Sequence, residues 1–142
     1  MIDSKTKIEI NEEFEKALTL LDGNVQTLFV TGKAGTGKST LLEYFRQRTK
    51  KNVAVLAPTG VAALNVSGQT IHSFFLIPPN ITPEKVLEHK LPKKRIKLVQ
   101  ALDMIIIDEA SMLRADLLDC IDVALRHYRG EESLPFGGVQ MV

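Results

Sequence analysis

The chain has few of the residues that cross-link a fold or mark a membrane protein. It contains one cysteine, Cys120, and no tryptophan among its 142 residues. A single cysteine excludes an internal disulfide, so we expect a reducing compartment, with the cytoplasm as the default. No apolar run approaches the roughly 20 residues that a membrane-spanning helix needs, and the first residues lack the apolar core of a signal peptide. The sequence therefore predicts a protein without a membrane partner.

An excess of charge is also missing. The chain has 18 Lys and Arg residues and 17 Asp and Glu residues, which gives a formal net charge of +1. A chain this close to neutrality is not a general polyanion-binding protein, so any nucleic-acid site must be local. The length suits one domain with a real core, and the 44% hydrophobic and 25% charged fractions are those of an ordinary globular protein.

What the sequence does contain is a motif for nucleotide phosphates. Residues 32–39 read Gly-Lys-Ala-Gly-Thr-Gly-Lys-Ser, which fits the P-loop pattern G-x-x-x-x-G-K-[ST] at every fixed position. Residues 26–30 before it, Gln-Thr-Leu-Phe-Val, predict a buried strand, and residues 39–45 after it predict a helix, which is the context that the motif requires. A glycine-rich turn that matched the pattern by chance would not be expected between a strand and a helix.

Each part of this loop has a physical task. Glycines let successive backbone N–H groups approach phosphate oxygens, and the helix N-terminus adds a favourable dipole. We expect Lys38 to reach the β- and γ-phosphates of ATP and the Ser39 hydroxyl to bind Mg²⁺. The predicted nucleotide-binding residues are Gly32, Lys33, Ala34, Gly35, Thr36, Gly37, Lys38, Ser39 and Thr40.

A second motif follows the apolar run Met104–Ile107, which is typical of a central parallel strand buried on both faces. At the carboxyl end of such a strand, Asp108 is placed to hold Mg²⁺ together with Ser39. Glu109 would face the γ-phosphate and orient or deprotonate the attacking water. An ordinary acidic loop explains Asp108 and Glu109 equally well on their own. Paired with the P-loop, they predict ATP hydrolysis with Lys38, Asp108 and Glu109 as catalytic residues.

Strands and helices alternate along the rest of the chain. Asn11 is a candidate N-cap of a first helix, residues 53–57 predict a strand, and a last strand begins near Val139. Between them we expect a short helix capped by Thr82, a helix or turn from residue 93, and an amphipathic helix that Gly130 ends. This order predicts an α/β fold with a three-layer parallel sheet and a ligand at the carboxyl ends of its strands.

Four phrases together resemble a known family. They are Ala-Pro-Thr-Gly-Val-Ala-Ala at 57–63, Gly-Gln-Thr-Ile-His-Ser-Phe-Phe at 68–75, the segment from Asp108 to Asp119, and Pro-Phe-Gly-Gly-Val-Gln at 135–140. In this order they resemble the motifs of Pif-type DNA helicases, superfamily 1 enzymes to which the RecD proteins are related. The resemblance implies a partial RecA-like P-loop NTPase domain over residues 26–142, preceded by a helical lead-in over residues 1–25.

The resemblance also implies an activity, an ATP-dependent DNA helicase that moves 5′-to-3′ along single-stranded DNA. The later helicase motifs and the second motor domain are absent, and the chain ends on apolar residues. We therefore expect a fragment whose parent hydrolyses ATP and unwinds DNA while the fragment alone does not. The DNA-binding residues that the resemblance implies are Thr59, Gly60, Val61, Thr70, His72 and Phe74.

Some assignments stay open at this point. Phe14 stands where these helicases usually place a glutamine that reads adenine, so it either packs on the base or joins the core. Phe74 and Phe75 are more often core residues than base-stacking ones. The basic run 93–97 contacts DNA backbone or forms a solvated helix face.

Three other functions also remain. A thymidine-kinase-like enzyme pairs a P-loop with Asp-Glu-Ala, although such kinases usually carry a set of zinc-binding cysteines that one cysteine cannot supply. A RecD-like exonuclease subunit shares the motor and differs downstream. A non-enzymatic nucleotide-binding module would bind without DNA-stimulated turnover.

Overall fold

A computed structural model describes residues 11–32 and 37–142 of the chain. These residues fall into two compact units, one that ends at Thr49 and one that spans Lys50–Val142. The predicted boundary at residue 25 stays a prediction. Within the described ranges, no helix has both the length and the apolar character of a membrane span.

The described residues of the first unit form two helices, α1 (Glu12–Asp22) and α2 (Lys38–Arg48). Asn11 is the N-cap of α1, as predicted, because its side-chain Oδ1 accepts a hydrogen bond of 2.8 Å from the Phe14 amide. The ring of Phe14 packs edge-on against Tyr44 of α2, with 5.6 Å between the centroids. Phe14 therefore joins the apolar contacts of this unit.

The predicted strand at residues 26–30 is wrong. Apart from an isolated bridge at Thr27, this segment has no regular structure, and the Phe29 side chain is 76% exposed. An apolar run becomes a strand only where a neighbouring strand pairs its backbone groups. The sheet of the second unit is built from four other segments.

Those four segments are β1 (Val53–Ala57), β2 (Gln69–Thr70), β3 (Met104–Ile107) and β4 (Gln140–Met141). They lie in the order β2-β1-β3-β4, and every pairing is parallel. The α/β class with a parallel sheet is thus confirmed. The helices of this unit are α3 (Gly60–Asn65), α4 (Ile71–Phe75), α5 (Lys93–Ala101) and α6 (Ala115–Tyr128).

Strand β3 lies at the centre of the core, with Met104, Ile105 and Ile106 at most 1% exposed. Helix α6 contributes the stripe that its spacing predicts, which includes the buried Ile121 and Leu125. The helix predicted after Thr82 is wrong: the chain forms a turn there and then one 3₁₀ turn, Val86–Glu88. Thr82 still closes that turn, because its carbonyl accepts from the Lys85 amide at 3.0 Å.

The Cys120 thiol is fully buried on α6. Burial raises its pKa above the ordinary 9.0, and the carboxylates of Asp116, Asp119 and Glu84 raise it further. The folded state therefore favours the neutral thiol, so this contribution to stability is complete below pH 9 and is lost as the pH rises through the folded-state pKa.

We expect iodoacetamide to modify Cys120 slowly in the native protein and rapidly in denaturant. The wild-type Tm should fall above pH 9 more steeply than that of Cys120→Ala.

A second expectation concerns the turn before β4. Gly137 is buried at φ +60°, and a Cβ atom there would lie 2.6 Å from the Leu125 carbonyl oxygen of α6. Gly130 has a similar φ of +67° but open space around it, which makes Gly130→Ala a matched control for the backbone cost alone. Urea unfolding should show a loss of about 1 kcal/mol for Gly130→Ala and about 3 kcal/mol or more for Gly137→Ala. Equal losses would show that the close approach to α6 has no cost.

Candidate functional site

The P-loop residues that the structure describes lie at the start of α2. Gly37 is the N-cap, with φ +90° and ψ +16°, a left-handed conformation that glycine adopts at low cost. Lys38 is the first helical residue, and its exposed ammonium donates a 2.8 Å hydrogen bond to the Gly32 carbonyl. Ser39 is exposed and Thr40 is half-buried. The other predicted P-loop residues, Lys33, Ala34, Gly35 and Thr36, lie outside the described residues.

This helix start is suited to an anion. No acidic residue lies in the first turn of α2, so the partial positive charge of its free N–H groups is not neutralised there. An ammonium group has three N–H donors, and the bond to Gly32 uses one of them. The Lys38 side chain is therefore equipped to hold phosphate oxygens while it still contacts its own loop.

Asp108 and Glu109 follow β3, as predicted. The Asp108 amide donates to the Leu56 carbonyl at 2.9 Å, which continues the β1–β3 pairing by one residue. This bond fixes the backbone position of Asp108, from which its carboxylate extends. Glu109 then adopts a left-handed conformation, φ +55° and ψ +45°, and starts the 3₁₀ turn Ala110–Met112. For a residue other than glycine this conformation costs about 1–2 kcal/mol. The chain thus turns sharply at Glu109 and leaves it exposed at the end of the strand.

Two of the predicted DNA-binding residues are helix N-caps. Thr59 Oγ1 accepts from the Ala62 amide at 3.3 Å at the start of α3. Thr70 Oγ1 accepts from the Ser73 amide at 3.1 Å at the start of α4. In both bonds the hydroxyl oxygen is the acceptor, which leaves its O–H free in principle to donate to a phosphate. The preference of threonine for N-caps could have revealed this structural role in the sequence.

The parallel sheet brings these groups to one edge. Ala57 of β1 pairs with Thr70 of β2, and Leu56 of β1 pairs with Ile107 of β3. The carboxyl ends of the three strands therefore meet: Thr59 follows β1, Thr70 is the last residue of β2, and Asp108 follows β3. The residues of α2 belong to the other unit, so an encounter of Ser39 with Asp108 stays a prediction.

The remaining predicted DNA contacts divide into exposed and buried residues. Val61 is 73% exposed, Gly60 is exposed, and His72 is half-buried. Phe74 is only 4% exposed and packs edge-on against Phe75 at 4.9 Å. The predicted DNA contact at Phe74 is therefore corrected: its ring is part of the core, and no face is available to stack on a base.

The donor atoms fit the predicted cofactor. Mg²⁺ prefers hard oxygen ligands and usually combines one or two protein oxygens with the phosphates of its nucleotide. Ser39 offers a hydroxyl at the start of α2, and Asp108 offers a carboxylate at the end of β3. Both residue types suit the ion.

Known proteins resemble this chain over nearly its whole length. Residues 8–142 match the family model described as PIF1-like helicase. The chain is 38% identical to ATP-dependent DNA helicase PIF1 of Saccharomyces cerevisiae over 145 residues, which cover 97% of this chain and 17% of the yeast protein. It is 36% identical to ATP-dependent DNA helicase Pif1 of Bdellovibrio bacteriovorus, with 96% of this chain and 31% of that protein covered.

Solved structures give the same result for the fold. A Bacteroides Pif1 bound to single-stranded DNA matches with a TM-score of 0.86 and 44% identity, over 96% of this chain and 32% of that one. A complex of Bacteroides Pif1 with ADP-AlF3 and single-stranded DNA matches with a TM-score of 0.88 and 44% identity, over 95% and 32%. The chain therefore spans about a third or less of the proteins it matches.

Proposed function

Because the chain belongs to the PIF1-like helicase family, we propose that it is part of an ATP-dependent DNA helicase that binds ATP and single-stranded DNA. The observation that carries the proposal is the shared edge of the sheet, where two threonine caps and the Asp108-Glu109 pair lie at the carboxyl ends of adjacent parallel strands. Because these strands are paired, a movement at the nucleotide-binding residues can be transmitted directly to the DNA-binding residues at the same edge. Family membership also argues against a thymidine-kinase-like phosphotransferase.

At the nucleotide, the start of α2 would hold the phosphates through its N–H groups and the Lys38 ammonium. Ser39 and Asp108 would hold Mg²⁺, which would supply positive charge to the phosphates of the nucleotide. Glu109 would accept the proton of the attacking water or orient that water. Its exposed carboxylate at the end of β3 supports this role.

At the DNA, the Thr59 and Thr70 hydroxyls would donate to phosphate oxygens while they cap α3 and α4, with Gly60, Val61 and His72 beside them. Such contacts hold the backbone without reading sequence, as a motor requires. The support for single-stranded DNA as the ligand is the Bacteroides relative bound to it. Unwinding would need a second motor domain, which a complete protein has to supply.

Replacing Thr59 separates the cap from the DNA contact. Thr59→Ser keeps the hydroxyl and should preserve both stability and DNA affinity in the complete protein. Thr59→Val removes it, and we expect a loss of about 1 kcal/mol in unfolding free energy together with a several-fold loss of single-stranded DNA affinity. Fluorescence anisotropy with a labelled oligonucleotide measures the affinity. A Thr59→Val protein that is less stable but binds DNA normally would restrict Thr59 to capping.

The direction of travel is tested with tailed duplexes. We propose 5′-to-3′ movement, so the complete protein with ATP should unwind a duplex that carries a 5′ single-stranded tail and leave a 3′-tailed duplex intact. A gel-based unwinding assay with both substrates decides the point. Unwinding of the 3′-tailed duplex alone would reverse the proposed direction, and unwinding of neither would contradict the helicase function.

A further inference from the structure

The segment from Lys85 to Lys97 concentrates positive charge in a nearly neutral chain. It holds six cationic side chains and one carboxylate, Glu88, whereas the whole chain has a formal net charge of only +1. The segment thus carries more than the entire positive excess of the chain. Its cations are Lys85, Lys90, Lys93, Lys94, Arg95 and Lys97.

Helix α5 carries the last four of these cations, and its two faces differ in burial. Its inner face carries Val99, which is fully buried, and Ile96, which packs against the core. Lys93, Lys94 and Lys97 are exposed on the opposite side, and we call these three residues the lysine face. In the part of the chain that the structure describes, no salt bridge includes any of them.

The stability of helix α5 does not explain why these lysines are present. Lys93 and Lys94 lie in the first turn of α5, where the helix dipole disfavours cations. That turn has no acidic residue, and Pro92 before it provides no side-chain cap. Two of the three lysines of this face therefore oppose the formation of their own helix, which indicates that the lysine face serves a ligand.

Helix α5, which carries the lysine face, contacts helix α4 through Arg95. The guanidinium carbon of Arg95 sits 5.3 Å from the centre of the Phe74 ring, in helix α4. Helix α4 directly follows β2 at the carboxyl edge of the sheet. The other end of α5 lies at the amino edge, because only two residues separate Ala101 from the start of β3. The first turn of α5, which includes Arg95, therefore lies toward the carboxyl edge of the sheet, near the helix that Thr70 caps.

We propose that the lysine face binds the phosphate backbone of duplex DNA that adjoins the single strand on this edge. The proposal rests on the proposed function, since it extends the same DNA path. Proteins that hold single strands combine cations with aromatic rings on which bases stack, and residues 85–97 contain no Phe, Tyr or Trp. Flexible lysines without such rings suit the dense, sequence-independent charge of a duplex.

The test compares two charge-matched variants of the complete protein. Lys93→Gln/Lys97→Gln removes two cations from the lysine face, and Lys16→Gln/Lys50→Gln removes two exposed cations elsewhere. Anisotropy titrations over a range of salt concentrations measure binding to a tailed duplex and to a single-stranded oligonucleotide. For the first variant we expect a roughly tenfold loss of tailed-duplex affinity and a salt slope smaller by about 2, because each lost phosphate contact lowers it by about 1. Binding to the single strand should change less than twofold.

Stability gives an independent readout. A lysine face that served the fold would lower the Tm when it is removed, whereas one that opposes the helix dipole should leave the Tm equal or raise it. The single variant Lys94→Gln should lose roughly threefold in duplex affinity, with about half the change in slope.

Equal tailed-duplex affinity in both double variants would overturn the proposal and point to another anionic partner, such as an acidic protein surface. An equal loss on the single strand would overturn the choice of duplex. Wild-type ATP hydrolysis stimulated by single-stranded DNA is measured alongside, because its absence would reject the proposed function without deciding on the lysine face.

Discussion

Glu109→Gln in the complete protein is expected to bind ATP with wild-type affinity and to hydrolyse it about 10²–10⁴-fold more slowly. The amide keeps the size of the side chain but can neither accept the proton of water nor carry the negative charge that orients it. The left-handed backbone of residue 109 costs about the same for glutamine as for glutamate, so the fold should be unchanged. Single-turnover hydrolysis and a nucleotide-binding titration separate the two effects.

The matched control is Glu131→Gln, an exposed glutamate beyond α6 that no role has been assigned to. It should hydrolyse ATP at the wild-type rate. Glu109→Gly adds a further distinction, because glycine relieves the left-handed strain and should raise the unfolding free energy by about 1 kcal/mol while hydrolysis stays low. Normal turnover in Glu109→Gln would remove Glu109 as the base.

Lys38→Ala is expected to abolish stabilisation by nucleotide. A ligand present at 100 times its Kd stabilises a protein by about 2.7 kcal/mol, which appears as a rise in Tm. Without the ammonium, the phosphates lose their main charge partner and the rise should disappear. In the absence of nucleotide the Tm should change little, because the lost bond to the Gly32 carbonyl is exposed.

Thermal unfolding with and without ATP and Mg²⁺ measures this effect, and Lys16→Ala serves as the control because Lys16 is an exposed lysine of α1. The control should keep the full shift. A Lys38→Ala protein that ATP still stabilises as it does the wild type would defeat the P-loop assignment.

Buried, periodic segments of this fold were predictable from sequence. Strand β3 is an unbroken apolar run, and the stripe of α6 repeats at helical spacing, so local pattern and tertiary burial agree. Residues 28–30 also form a short apolar run, yet they form no strand. Pairing with other strands decides such segments, and a single sequence does not show it.

The candidate site was predictable in a similar, partial way. Motif spacing places Thr59, Thr70 and Asp108 at strand ends, and the parallel sheet brings those ends together. The burial of Phe74 and the left-handed turn at Glu109 depend on packing and backbone geometry that residue types do not encode. The contact of Arg95 with Phe74, which brings helix α5 to helix α4, is equally invisible in the sequence.

In the proposed helicase, nucleotide hydrolysis and DNA binding are coupled across one edge of the sheet. The most direct test is the rate of ATP hydrolysis by the complete protein with and without single-stranded DNA. A rate that rises many-fold with the DNA is the predicted result. A rate that is the same in both conditions would contradict the coupling and with it the helicase function.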